Sequence, residues 1–214
     1  MNKPPERIVI ELLSDTTFGR GEGTPGVVDV EVEHDAYGLP MLGGKTLRGL
    51  LRDSWLTMQA HFPELAEAGR RVLGPHADVA ETAILRIGDA RVEEASRAYF
   101  VAAVERSLYP LSRETILAAL TDIRSQTSED RTSGAPAKGT LRSVRVILRG
   151  LKFESPLLWL DQPTAQDLQC LALACLTTRH AGLGRNRGRG HIRVTLDGDV
   201  EGTRRLAQAL NAGS

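Results

Sequence analysis

Cysteine is nearly absent: Cys170 and Cys175 are the only two in 214 residues. Two are too few for a disulfide framework, so a reducing cytoplasm is the expected compartment. No apolar run approaches the roughly 18 residues that a membrane helix needs. Met1 to Glu6 is polar and Pro-rich, so no secretory signal is expected to begin there. Net charge is also missing, with 27 basic and 27 acidic side chains. Lysine is rare at four residues, which leaves 23 arginines. What is present is ordinary for a folded protein. Hydrophobic residues make up 41% and charged residues 25%, which excludes wholesale disorder.

The neutral total hides an uneven distribution. Residues 138–193 hold ten basic groups against three acidic ones, while residues 1–137 hold 15 basic and 21 acidic. Arginine presents a planar fork suited to phosphate and to stacking on bases. A GC-rich genome produces the same preference for arginine, so composition alone leaves two explanations open.

Periodicity predicts an α+β chain, with a split βαβ sheet covered by helices on one face. Arg7 to Leu13 reads as a strand, apolar at Ile8, Ile10 and Leu12. A glycine-rich loop, Phe18 to Gly26, leads into an alternating segment. There Val28, Val30 and Val32 are expected on one face, and Asp29, Glu31 and Glu33 on the other. Thr46 is expected to cap a helix running to about His61, with Leu47, Leu50, Leu51, Trp55 and Met58 on one stripe. Further helices are expected at about 64–73, 97–107, 113–121, 167–178 and 202–211. Further strands are expected at 83–92, 144–149, 153–160 and 191–196. Residues 122–141 bury almost nothing and read as a protruding arm. With no internal repeat and no long linker, 1–214 is expected to be one domain.

Several motifs match a chemistry only in letters. Gly21-Glu-Gly-Thr-Pro-Gly26 fits G-x-G-x-x-G, but a dinucleotide site needs a helix to open there, and a strand is expected instead. Gly44-Lys45-Thr46 ends like a P-loop, yet the required earlier glycine position is Leu39. Cys170 and Cys175 fall in an apolar helix without a second ligand pair, which points to packing rather than zinc. The five histidines show no metal spacing.

A different constellation remains. The glycines Gly43 and Gly44 open a helix whose first turns carry Lys45, Thr46, Arg48 and Arg52. A helix N-terminus offers N–H groups and a positive dipole end to phosphate. A second loop, Gly182-Leu-Gly-Arg-Asn-Arg-Gly-Arg-Gly190, lets backbone approach a sugar-phosphate chain, while Arg185, Arg187 and Arg189 neutralise it. A solvated basic loop would look the same.

Taken together, these residues resemble a known family. Gly38-Leu-Pro-Met-Leu-Gly-Gly-Lys-Thr-Leu-Arg-Gly-Leu-Leu-Arg52 is similar to a signature of RAMP-superfamily CRISPR-associated proteins. Gly182, Gly184, Gly188 and Gly190 fall in what resembles their C-terminal glycine-rich loop; Gly19, Gly21 and Gly23 belong to this chain's own earlier glycine-rich loop. Asp122 to Arg145, with Arg149 to Phe153 after it, is similar to the thumb segment of type III backbone subunits. Departures occur at His34, Met41-Leu42-Gly43, Lys45-Thr46 and Arg48. The resemblance implies a modified ferredoxin-like palm with an inserted thumb. It implies a subunit that stacks along a CRISPR RNA among other effector subunits and positions complementary target RNA. Arg124, Arg131, Arg142 and Arg145 of the thumb join the RNA-binding candidates.

In many type III members an aspartate after the first strand cuts target RNA with a divalent metal, and Asp29 matches that position. Mg2+ or another divalent cation is therefore the expected cofactor. Glu31 and Glu33, on the same expected strand face, could share the cation. An acidic edge that blunts sheet pairing is the plain alternative. Two other readings are kept: a scaffold without cleavage, and a subunit that caps the guide's 5′ tag or processes the guide.

Overall fold

In the computed structural model, residues 3–74, 83–127 and 140–208 are described. Chain order is β1 (Arg7–Leu12), β2 (Met41–Leu42), α1 (Gly44–Met58), α2 (Ala66–Leu73), β3 (Leu85–Ile87), β4 (Ala90–Val92), α3 (Glu94–Glu105) and α4 (Arg113–Leu120). There follow β5 (Thr121–Gln126), β6 (Arg142–Ile147), β7 (Lys152–Trp159), α5 (Ala165–Thr177), β8 (Ile192–Leu196) and α6 (Val200–Gln208). The segment expected to be one strand at 83–92 divides into β3 and β4, which both pair with β7.

β1 alternates as its sequence demands. Ile8, Ile10 and Leu12 are buried, and Ile10 lies opposite both Phe153 and Val194. The sheet runs β2-β4-β7-β1-β8, antiparallel throughout. Its main strands, read as β8-β1-β7-β4, make two interleaved βαβ units, which is the ferredoxin-like arrangement. One face is covered by α1 and α5, which contribute Leu47, Leu51, Trp55, Leu171 and both cysteines to the core. Each fully buried Leu or Ile here is worth about 1.5–3 kcal/mol. Gly69 on α2 admits Trp55, since a Cβ there would stand 2.2 Å from the indole nitrogen. Burial pushes the Cys170 thiol up to about 12, so it is a packing group and a poor metal ligand.

A reciprocal cap starts α5. Thr164 Oγ1 accepts from the Asp167 N–H at 3.1 Å, and Asp167 Oδ2 accepts from the Thr164 N–H at 2.9 Å. α1 begins differently from expectation. Gly43 is its N-cap, and Thr46 lies within the helix, exposed and making no cap. The connection from β4 to β7 carries α3, α4 and a separate two-stranded hairpin of β5 and β6. Asp122 to Gln126, expected in an unsupported arm, are therefore paired with Arg142 to Val146.

Candidate nucleic-acid interface

The alternation at 28–33 does not make a strand. The backbone there forms isolated bridges, and Glu31 is buried at 2% exposure beside buried Val32. The cause lies 114 residues away. Arg145 Nε donates to Glu31 Oε1 at 2.7 Å, and Thr24 Oγ1 donates to Glu31 Oε2 at 3.0 Å. Both partners are shielded from water, so Arg145 is a structural cation and not an RNA contact as the sequence suggested. Glu31 is likewise withdrawn from any shared cation.

Asp29 is exposed but tied to β6 of the hairpin. Ser143 donates to Asp29 Oδ2 through its N–H at 2.7 Å and its hydroxyl at 3.0 Å. In return the Asp29 N–H donates to the Ser143 carbonyl at 3.0 Å and to its hydroxyl oxygen at 3.1 Å. The Ser143 N–H and hydroxyl, helped by Arg142, hold the Asp29 carboxyl below its ordinary value of 3.8. The loop thus takes its shape from β6. Ser143 carried no signal in the sequence. Asp35, six residues on, folds its own turn: Oδ1 accepts from the N–H groups of Tyr37 and Leu39, and Oδ2 pairs with Arg97.

Among the described residues, no group of three or more His, Cys, Asp or Glu side chains could hold a metal ion. The expected sharing of one cation by Asp29, Glu31 and Glu33 is therefore not supported. Asp29 alone would offer an ion one carboxylate, which fits only an ion that arrives with phosphate and water in its shell.

The basic groups collect in two places. The first is a groove of about 440 Å³ along α1, lined by Gly44, Lys45, Arg48, Gly49, Arg52, Arg86 and Ile87. Among the described residues, four cations and no carboxylate line it. Gly44 is required by close packing, because a Cβ would stand 2.3 Å from the Ile87 carbonyl oxygen. Its N–H already donates to Asp89 Oδ1 at 2.9 Å, so this helix start is not wholly open to phosphate. Arg86 was not among the candidates, since nothing local places β3 beside α1.

The second is a cavity of about 610 Å³ between the hairpin and the Arg-Gly loop, lined by Leu13, Ser14, Asp15, Arg124, Leu148, Arg149, Gly188 and Arg189. Arg149 is a further member that the sequence did not single out. Arg124 is paired with Asp15 and Asp122, so its charge is partly answered within the chain. The loop folds as a short 3-10 turn, Arg185–Arg187, between Gly184 and Gly188, and Arg187 donates to Gln126 Oε1 at 3.2 Å. Both glycine loops meet: the Leu183 N–H donates to the Thr17 carbonyl at 3.0 Å, and a Cβ on Gly19 would lie 3.0 Å from Leu183. Gly182 has φ +81° and packs against the same carbonyl at 2.3 Å from a hypothetical Cβ, so only glycine fits. Arg131 lies outside the described residues.

The RAMP superfamily model matches residues 9–193. The chain belongs to the RAMP superfamily. That span takes in the sheet, the α1 groove, the hairpin and the Arg-Gly loop. No curated protein sequence matches the chain. Two solved structures share its fold. One is a chain of the type III-B Cmr-beta complex in its apo state, 15% identical, with a TM-score of 0.65 and 92% of this chain and 98% of that chain covered. The other is from Cmr-beta bound to cognate target RNA, 13% identical, with a TM-score of 0.64 and coverage of 90% and 96%. Among the described residues, no helix is long and apolar enough to cross a membrane.

Proposed function

We propose that this RAMP protein is a guide-RNA-binding subunit of a type III CRISPR effector, held beside other effector subunits and presenting target RNA to its hairpin. The observation that carries the reading is the basic groove that gathers Lys45, Arg48 and Arg52 of α1 with Arg86, on a fold whose second basic site adjoins the hairpin. Phosphate neutralisation by such groups makes affinity fall steeply with salt. The test is fluorescence anisotropy with labelled single-stranded RNA across a salt series. Reversing Arg185, Arg187 and Arg189 to Glu should nearly abolish binding and flatten the salt slope. Unchanged affinity in that variant refutes the reading.

Asp29 is the residue through which this subunit would cut target RNA. A divalent cation, when bound, would activate water or stabilise charge on the scissile phosphate. Asp29 would supply one oxygen, with its side chain held by Ser143 of β6. The second reading, a scaffold without cleavage, is favoured by the engagement of Glu31 with Arg145. An assembled complex with labelled complementary RNA separates the two. Magnesium-dependent cuts that vanish in Asp29→Ala, with guide binding intact, support cleavage by this subunit. Absence of cuts from the wild type with any divalent metal leaves the scaffold.

A further inference from the structure

His180 and His191 face each other across an isolated antiparallel bridge at the neck of the Arg-Gly loop. The flanking backbone bonds run from the Ala181 N–H to the Gly190 carbonyl and from the Ile192 N–H to the Arg179 carbonyl, both at 2.9 Å. The histidines are therefore a non-hydrogen-bonded pair, the geometry in which opposed side chains stand closest. Their rings stack, with centroids 5.4 Å apart and planes 25° apart. Both residues are exposed.

The backbone under them is anchored. The His191 N–H donates to Ser14 Oγ at 2.9 Å, and the His191 carbonyl accepts from the Leu13 N–H at 2.9 Å. The surroundings are cationic. Arg179 adjoins His180 and Arg189 stands two residues before His191; Arg193, two residues after it, is paired with Glu11. Core packing does not account for two exposed rings, and the local arginines oppose a metal cation. Sequence-tolerant binding of single-stranded nucleic acid combines a basic track with flat rings on which bases stack. Large rings are scarce here, and the exposed Tyr99 and Tyr109 belong to α3 and the turn after it. The histidine pair is the exposed stack that adjoins the basic loop.

We propose that His180 and His191 form a stacking platform for one base of single-stranded RNA, whose flanking phosphates are held by Arg185, Arg187 and Arg189. This rests on the RNA-binding reading above and adds to it the site where a base is held. The ligand class is an unpaired nucleobase, recognised by its π-face and not by its edge.

The test uses the full chain and a labelled single-stranded RNA of mixed sequence, at fixed pH across a salt series. His180→Ala/His191→Ala should weaken binding by about tenfold, the low end of base-stacking losses. Its salt slope should stay that of the wild type, because no phosphate contact is removed. His180→Phe/His191→Phe should keep the affinity, since phenyl rings stack as well. With the wild type itself, an RNA of abasic nucleotides should bind less tightly, a comparison that does not depend on any variant folding. Wild-type affinity in the double alanine variant overturns the platform alone. Equal losses in the phenylalanine and alanine variants also overturn it and assign the rings to hydrogen bonding. A wild type that binds no RNA at any salt removes the RNA-binding reading and the platform with it.

Discussion

Gly49 occupies the interior of α1, where glycine is a poor choice. It costs about 0.5–1 kcal/mol relative to alanine in a helix, because the unfolded chain loses more freedom there. Packing does not require it: a Cβ built at Gly49 meets nothing within 4 Å. The residue lines the 440 Å³ groove with Lys45, Arg48, Arg52 and Arg86. A bare helix surface among four cations leaves room for a sugar-phosphate chain to touch the backbone. Gly49→Ala should therefore stabilise the protein and weaken RNA binding together. For a chain of this size, about 1 kcal/mol shifts the midpoint by roughly 2–4 °C, so a rise of about 1–4 °C is expected. Affinity should fall about tenfold, the loss of one charge-assisted contact. Thermal melts and anisotropy titrations on the same samples read both. Gly44→Ala is the contrasting control. Its Cβ would fall 2.3 Å from the Ile87 carbonyl oxygen, so it should destabilise by about 1–3 kcal/mol. A higher midpoint with unchanged RNA affinity would show that RNA does not pass Gly49, and a lower midpoint would refute the reading of α1 itself.

Arg145→Ala leaves the Glu31 carboxylate buried without its partner, so chemical denaturation should show a loss of about 3–5 kcal/mol. Glu31→Gln/Arg145→Met removes both charges and should recover much of that loss; a double variant as unstable as the single one would count against the ion pair. The folded-state pKa of Asp29 is lowered, so its hydrogen bonds to Ser143 stabilise the loop above the ordinary aspartate value of 3.8 and are lost as pH falls through the depressed one. Protection of the Ser143 amide from hydrogen exchange, corrected for intrinsic rate, should hold through mildly acidic pH and disappear only below that value. Asp29→Asn should weaken the protection at neutral pH, and loss of protection in the wild type at mildly acidic pH would contradict the assignment.

Much of the palm was legible. Ile8, Ile10 and Leu12 alternate in β1 because one face of that strand is buried, and the helical stripe of Leu47, Leu51 and Trp55 follows from the same need. The basic character of α1 and of the Arg-Gly loop could also be read directly. The acidic loop could not. Val28 to Glu33 has the period of a half-buried strand, yet Glu31 goes inward because Arg145 waits there to receive it. Arg142 and Arg145 look alike along the chain, while on β6 the first is exposed and the second is half-buried and paired with Glu31.

Local pattern thus determined most strands and helices of the palm, since burial of one face imposes a period of 2 or 3.6 on neighbouring residues. Tertiary structure alone decided which charges remain available. An ionic group is engaged by whatever charged or hydrogen-bonding partner the fold brings within about 3–4 Å, and that partner need not be near it in sequence. Asp15 with Arg124, Glu31 with Arg145 and Asp29 with Ser143 are all such meetings. The fold likewise brings Arg86 to the groove along α1.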